Sequence, residues 1–225
     1  GFNETEILNA TESTLSLAGA TGTDLARSAE VAGSTLRAFG LNASEMQRVN
    51  DVMAKSFSTS ALDMESFAES MKYVAPVSKA AGVSLEETTA MLGALADNGI
   101  KGSTAGTTLR RIFSEMASTG KPVKEALAEI SEKGITLTDA MDEVGRSAQT
   151  SLLVLSKSQE KVGNLTETYE NAEGSAKSMA DTQLNTLGGA LDLLTSAWEG
   201  YILKVNSASG AGASFSNAVV WLSEN

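Results

Sequence analysis

The chain has 225 residues, with 17 lysines and arginines against 28 aspartates and glutamates, a net charge of −11. It is long enough for one large domain or two small ones, and too acidic for a surface that grips nucleic acid by displacing counterions. Neither cysteine nor histidine occurs, which removes thiol nucleophiles, disulfides, imidazole acid–base chemistry and zinc or iron sites built on those ligands.

Apolar residues make up 42% of the chain, mostly Ala, Leu, Met and Val, with only two prolines, a composition that favours helices over sheets. No run of about 18 apolar residues is available to span a bilayer. The nearest, residues 187–205, is interrupted by Asp192, Glu199 and Lys204. The sequence begins without Met, carries no signal-peptide pattern and stops at Asn225 just after Ala-Val-Val-Trp-Leu, so it reads as a piece of a longer protein.

In chain order, Glu4–Leu17 carries Ile7, Leu8, Leu15 and Leu17 among polar positions and predicts a helix that ends in Ala-Gly-Ala-Thr-Gly-Thr. Thr21 or Thr23 is expected to cap the next helix. From Asp24 to Phe39, Leu25, Ala29, Ala32, Leu36 and Phe39 follow a 3.6-residue period that stops at Gly40. Next comes Gly40-Leu41-Asn42-Ala43-Ser44-Glu45, in which glycine ends a helix, leucine packs back, and Asn42 with Glu45 forms a capping-box pattern. The same grammar recurs at Gly82-Val83-Ser84-Leu85-Glu86-Glu87 and at Gly134-Ile135-Thr136-Leu137-Thr138-Asp139. Each predicts a corner between helices.

The first two corners stand 42 residues apart, and at that offset Leu25 aligns with Phe67, Ala26 with Ala68, Val49 with Met91 and Met53 with Leu95. This predicts an internal duplication of helical hairpins, Asp24–Phe39 with Ala43–Phe57 and Asp63–Ala81 with Leu85–Asp97, packed on each other as a compact bundle. Pro76 is expected to kink or split the first helix of the second copy near Val74 and Ala75.

The corner that organises the chain lies between Ala94 and Phe113. Asn98 and Gly99 suit the left-handed stop of one helix, Ile100 can fold back onto it, and Ser103, after Gly102, can cap the next. Gly106 then sits inside that second helix, where glycine weakens a helix by roughly 1 kcal/mol relative to alanine and is better explained by close backbone approach. A phosphate loop fails here, because Lys101 precedes Gly102 and a helix, not a strand, leads in. Ser103–Ser118 shows Leu109, Ile112, Phe113 and Met116 on one face. Gly120 and Pro122 then separate it from a short helix over Val123–Lys133.

Asp139–Val162 is expected to be one helix with Leu152, Leu153, Val154 and Leu155 at its buried centre. Residues 1–162 thus form a helical core module, and polar residues 163–175 a hinge or domain boundary. Within residues 176–206, Leu184, Leu187, Leu191, Leu194, Trp198, Tyr201 and Val205 alternate spacings of three and four, the seam of a heptad-patterned long helix that needs a partner from this chain or a second one. Residues 207–214, rich in Gly, Ala and Ser, form a flexible break before an amphipathic piece with Phe215, Val219, Val220 and Trp221. The fold class is all-α: a multi-helix bundle of tandem hairpins followed by a longer helix.

Glu65 with Glu69, and Glu125 with Glu129, lie one helical turn apart and could serve as an acid and a base. Solvated faces explain them more simply, since Lys121 precedes Glu125 and Lys133 follows Glu129. Lys101, Arg110 and Arg111 form a locally positive patch, read as surface charge and not as a nucleic-acid site. The sequons at Asn3, Asn9, Asn42 and Asn164 are accounted for by a chain rich in Ser and Thr, and the eight methionines by adaptable core filling. No catalytic, cofactor or metal site is expected.

Several strings resemble the core region of phage tail tape-measure proteins: Ala38-Phe39-Gly40-Leu41, Met71-Lys72-Tyr73-Val74-Ala75-Pro76-Val77, Gly82 to Thr88, and above all Leu95-Ala96-Asp97-Asn98-Gly99-Ile100-Lys101-Gly102-Ser103-Thr104-Ala105-Gly106-Thr107. Residues 179–200, from Met179-Ala180-Asp181-Thr182 to Ser196-Ala197-Trp198-Glu199-Gly200, resemble the segment that follows that core. The resemblance implies a non-enzymatic virion component that fills the tail tube lumen, sets tail length during assembly in the host cytoplasm, and leaves ahead of the DNA. It also implies tail-assembly chaperones, tube and tip proteins and further copies of itself as partners. Readings from other classes are a membrane-acting or pore-related helical protein, a tail scaffold without a ruler role, and a carboxylate-based glycan hydrolase.

Overall fold

The computed structural model describes residues 4–118, 120–134, 142, 144–146 and 148–185, with side chains from residue 10 onward. Among the described residues every regular element is helical: α1 (Glu4–Thr21), α2 (Leu25–Phe39), a 3-10 turn (Ala43–Glu45), α3 (Met46–Thr59), α4 (Met64–Ala80), α5 (Leu85–Asp97), α6 (Gly102–Ser118), α7 (Val123–Lys133), α8 (Gln149–Lys157), α9 (Gln159–Glu170) and α10 (Ser175–Leu184). The chain divides into a unit over residues 1–180 and a unit over residues 181–225. Of the second, the described residues are 181–185, the end of α10 and the residue after it.

Within the first unit α4 packs between α2 and α6, α1 lies on α3, and α9 runs along α5. The glycine corners set these directions. Gly40, Gly82 and Gly99 have φ of 66°, 70° and 80°, a region costly for residues with a Cβ. At each, the next residue's N–H reaches back five residues: Leu41 to Leu36 O, Val83 to Ser78 O and Ile100 to Leu95 O, all at 2.9 Å. This is the Schellman closure, and it turns Leu41, Val83 and Ile100 onto the core. At the second corner Ser84 Oγ accepts from Glu87 N–H and Glu87 Oε2 from Ser84 N–H, both at 3.1 Å, a complete capping box. At the first, Glu45 Oε2 takes the Asn42 N–H at 2.9 Å, and the chain makes a 3-10 turn over Ala43–Glu45 before α3 instead of entering the α-helix directly.

Several expectations are corrected. Helix α1 extends to Thr21, whose hydroxyl donates back to Leu17 O at 2.8 Å, so neither Thr21 nor Thr23 caps α2. Asp24 does so, with Oδ1 accepting from Ala26 and Arg27 N–H. The buried face of α2 is Ser28, Val31, Ala32, Thr35, Leu36 and Phe39, whereas Leu25 and Ala29 are exposed. Pro76 lies inside an uninterrupted α4, which it does not split.

The stretch expected to be one helix over Asp139–Val162 is broken at Gly145, with φ of 73°, and again at Ser158, which separates α8 from α9. Leu152 and Leu155 are fully buried, while Leu153 and Val154 are half-buried. The hinge expected over 163–175 is largely helix: α9 covers residues up to Glu170 and packs its Leu165 and Tyr169 into the core. Its polarity belongs to an outer face and not to a linker. The boundary between compact units falls after Ala180.

Candidate functional site

The central corner leads from α5 into α6, the helix that crosses α4. Helix α5, leading into it, is buried on all sides except at Glu87 and Asp97. Asn98 Nδ2 donates to Ala94 O at 2.8 Å, and Gly99 N–H to Ala96 O at 2.9 Å. Asp97 works outward: Oδ1 accepts the Ala61 N–H and Oδ2 meets Lys161 Nζ, both at 2.6 Å. One carboxylate therefore joins the corner to the α3–α4 loop and to α9.

Beyond Ile100 the backbone reverses through Gly102, with φ of 59°, and α6 starts there, Ala105 N–H donating to Lys101 O. Ser103 thus lies in the first helical turn and does not cap it. Gly106 lies in the crossing of α6 on α4. A Cβ added there would stand 2.8 Å from Ser70 Cα and 2.9 Å from its carbonyl carbon, with Ser70 O nearer still. Backbone atoms cannot swing aside as a side-chain end can, so hydrogen at this position is what permits the crossing. Ser70 Oγ lies 2.9 Å from Gly102 O and 2.7 Å from Ser66 O, satisfying the hydroxyl inside the join.

Gly134 shares the positive φ of Gly40, at 69°, but its ψ of 146° departs from the αL geometry of that corner. The rest of that third corner, residues 135–139, lies outside the described residues. Of the predicted heptad seam, Leu184 is 38% exposed, and Leu187, Leu191, Leu194, Trp198, Tyr201 and Val205 lie outside the described residues, as does the piece with Phe215 and Trp221.

One member of each carboxylate pair, Glu65 and Glu129, is engaged with cations. Arg27 forks onto Glu65 at 2.9 and 2.6 Å, reaches Glu30 at 2.9 Å, and holds the Glu65 carboxyl below the usual carboxylate range. Lys121 Nζ meets Glu129 at 2.6 Å, not Glu125, with Lys133 at 3.8 Å, and Glu129 is likewise lowered, chiefly by the Lys121 bond. Arg48 forks onto the buried Glu86 at 2.7 and 2.9 Å and reaches Glu45 at 2.8 Å. Its guanidinium is held more firmly protonated by Glu86. Both forks tie the first hairpin to the second. In the positive patch, Arg111 spends Nε on Val144 O and lies 3.7 Å from Glu115, so it is partly a structural tie between α6 and the segment before α8.

Two buried polar residues were not anticipated from the sequence. Asn50 Nδ2 donates to Ser13 Oγ at 2.9 Å, joining α3 to α1. Asp51, 3% exposed, accepts Ala176 N–H on Oδ1 at 2.9 Å and Gly174 N–H on Oδ2 at 3.0 Å. It thereby caps α10 from 123 residues away. Carboxylates near a helix N-terminus are favoured by orphan amides and the helix dipole. The signal that could have found Asp51 is an acid inside the apolar face of Val49, Val52 and Met53.

Among the described residues, no group of three or more acidic side chains is arranged to hold a metal ion, and no helix is long and apolar enough to cross a membrane. What the geometry provides is rigid helix joinery concentrated on the string Leu95–Thr107.

Residues 1–185 match the phage-related minor tail protein family. The chain belongs to that family. It is 35% identical over 230 aligned residues, 88% of the chain, to the tape measure protein of Pneumococcus phage Dp-1. It is also 35% identical over 198 residues, 84% of the chain, to the probable tape measure protein of Escherichia phage P2. The chain spans only 20% and 24% of the lengths of these two relatives. No solved structure matches this member of the minor tail family.

Proposed function

We propose that this chain is a folded helical station within a phage tail tape-measure protein, a non-enzymatic component whose parent sets tail length, occupies the tail tube lumen and is released ahead of the DNA. The observation that carries this reading is the similarity to two proteins so named over 84 to 88% of a chain in the minor tail family. The all-helical construction suits it, because a helix converts residue number into length at about 1.5 Å per residue. The compact first unit is a local knot on such a ruler and not a stretch of its scale. Partners follow from the role: tail-assembly chaperones, tube and tip proteins, and other copies of the parent. The salt-bridged carboxylates speak for surface structure at the positions where a glycan hydrolase would need free acids.

The test is tail length by electron microscopy in phage carrying an in-frame deletion of about 100 helical residues of the parent outside this segment. Tails shorter by roughly 150 Å are expected. Unchanged length overturns the ruler role and leaves a scaffold. Small-angle scattering of the isolated chain is expected to show a compact particle, and a uniformly extended profile would remove the folded-station reading. In sedimentation with anionic and neutral liposomes the chain is expected to stay in the supernatant, and cosedimentation would favour the membrane-acting alternative.

A further inference from the structure

We propose that residues 159–180, with α9 lying along α5 and the start of α10 held by Asp51 of α3, form a strap that opens as one cooperative unit while the helices α1–α6 stay folded. The strap begins at Ser158, where the helical path breaks between α8 and α9. Three polar fasteners run from it to residues 51–97. Lys161 Nζ meets Asp97 Oδ2 at 2.6 Å, Thr59 Oγ1 donates to Tyr169 Oη at 3.3 Å, and Asp51 takes Gly174 and Ala176 N–H. Between them the apolar contribution is small: Val162, Leu165, Tyr169, Ala172, Ala176 and Ala180 are buried, one aromatic among mostly short side chains. The face of α6 by contrast places Leu109, Ile112, Phe113 and Met116 in the core. Segments with little buried apolar area are the ones that open first.

Asp51 makes the opening all-or-none. Its two oxygens are committed to amides at the joint between α9 and α10, and the residue is almost fully shielded from water. Lifting only part of the joint strands a desolvated carboxylate with a lost partner, whereas lifting all of it admits water to the charge. The intermediate is therefore the least favourable arrangement, and the two helices leave together. Gly93 makes a close seat on α5: a Cβ there would stand 3.2 Å from Ser60 Oγ and 3.3 Å from Tyr169 Oη, so a larger residue would have to push the Tyr169 hydroxyl or Ser60 aside. Opening uncovers this side of α5, where Ser60 of the α3–α4 loop is the other close neighbour of Gly93.

Hydrogen exchange read by mass spectrometry on the full chain tests the strap. In the wild type, amides across 159–180 are expected to exchange through one shared opening at least 10-fold more populated than the openings that expose α4 and α6. Asp51→Asn is expected to raise exchange across both α9 and α10 by roughly 10-fold or more and to leave α4 and α6 unchanged. Tyr169→Phe, which keeps the ring and removes the hydroxyl, is expected to raise it several-fold over the same residues and decides the matter if Asp51→Asn does not fold. Exchange of 159–180 only together with α4 and α6, or acceleration confined to the amides next to each substitution, overturns the proposal.

Discussion

The two hairpins, α2–α3 and α4–α5, share one corner design but not one burial pattern. Their second helices match at the 42-residue offset: Val49 and Met91, and Met53 and Leu95, are all buried. Their first helices share the buried pairs Ser28 and Ser70, Ala32 and Val74, and Leu36 and Ser78, and differ at the N-terminal end. Helix α4 has 17 residues and α2 has 15, so the offset that superposes the corners sets Leu25, the first residue of α2, against Phe67, one turn inside α4. Phe67 is fully buried and stacks edge-on against Phe57 at 5.7 Å, while Leu25 is 42% exposed. Helix α4 is also flanked on both sides, by α2 and α6. Local grammar thus recurs in both hairpins, and burial is assigned by position in the bundle.

The sharpest way to break the comparison is truncation at the aligned pair. Phe67→Ala is expected to lower unfolding free energy in denaturant by about 4 kcal/mol, and Leu25→Ala by less than about 0.5 kcal/mol. Equal losses would mean that the copies are equivalent after all. For the matched pair of second helices, Met53→Ala and Leu95→Ala are expected to cost about 3 kcal/mol each. Next comes the α4–α6 crossing, which the first hairpin lacks. Gly106→Ala is expected to cost about 2 kcal/mol by overpacking against the Ser70 backbone, with thermal unfolding as the readout. Alanine as well tolerated as glycine would remove the close-approach argument. Smaller still is the difference between the corners. Ser84→Ala, which breaks a complete capping box, is expected to cost about 1 kcal/mol, and Asn42→Ala, at the 3-10 turn, less than that.

The smallest effect concerns the fork between copies. Glu65 has its pKa lowered by the Arg27 hydrogen bond, so this pair stabilises the fold above the ordinary carboxylate pKa of 4.5. That contribution is lost as pH falls below 4.5 through the lowered folded value. In an NMR titration, Arg27→Gln is expected to return the Glu65 midpoint upward towards 4.5. A midpoint that does not move would show that the exposed fork is not held in solution.

Much of this was legible because its causes are local. The glycine of each corner, the hydrophobic residue after it and the Ser84–Glu87 box lie within six residues of one another, and the face Leu109, Ile112, Phe113 and Met116 declares itself by period alone. What was not legible depends on distant partners. Polar residues 163–170 look like a linker until α5 supplies a surface for Leu165 and Tyr169. The inner face of α2 is marked by Ser28 and Thr35, which a search for apolar periodicity passes over in favour of Leu25 and Ala29. Asp51 finds its amides on the far side of the chain, and no window of sequence contains both. Gly106 could be suspected of a close approach from its place in a helix, but Ser70 as the neighbour could not be named.

The placing of α9 on α5 also has a timetable. Helices α4, α5 and α6 meet neighbours close in sequence and can assemble as they leave the ribosome, but roughly 70 residues must follow α5 before the end of α9 is made. At about 5–20 residues per second, the Gly93 side of α5 waits for its cover for about 4 to 14 s within every round of synthesis. For that interval each nascent chain displays an apolar helix flank with a vacant tyrosine seat, at the stage when a newly made protein is most exposed to aggregation and most accessible to a helper.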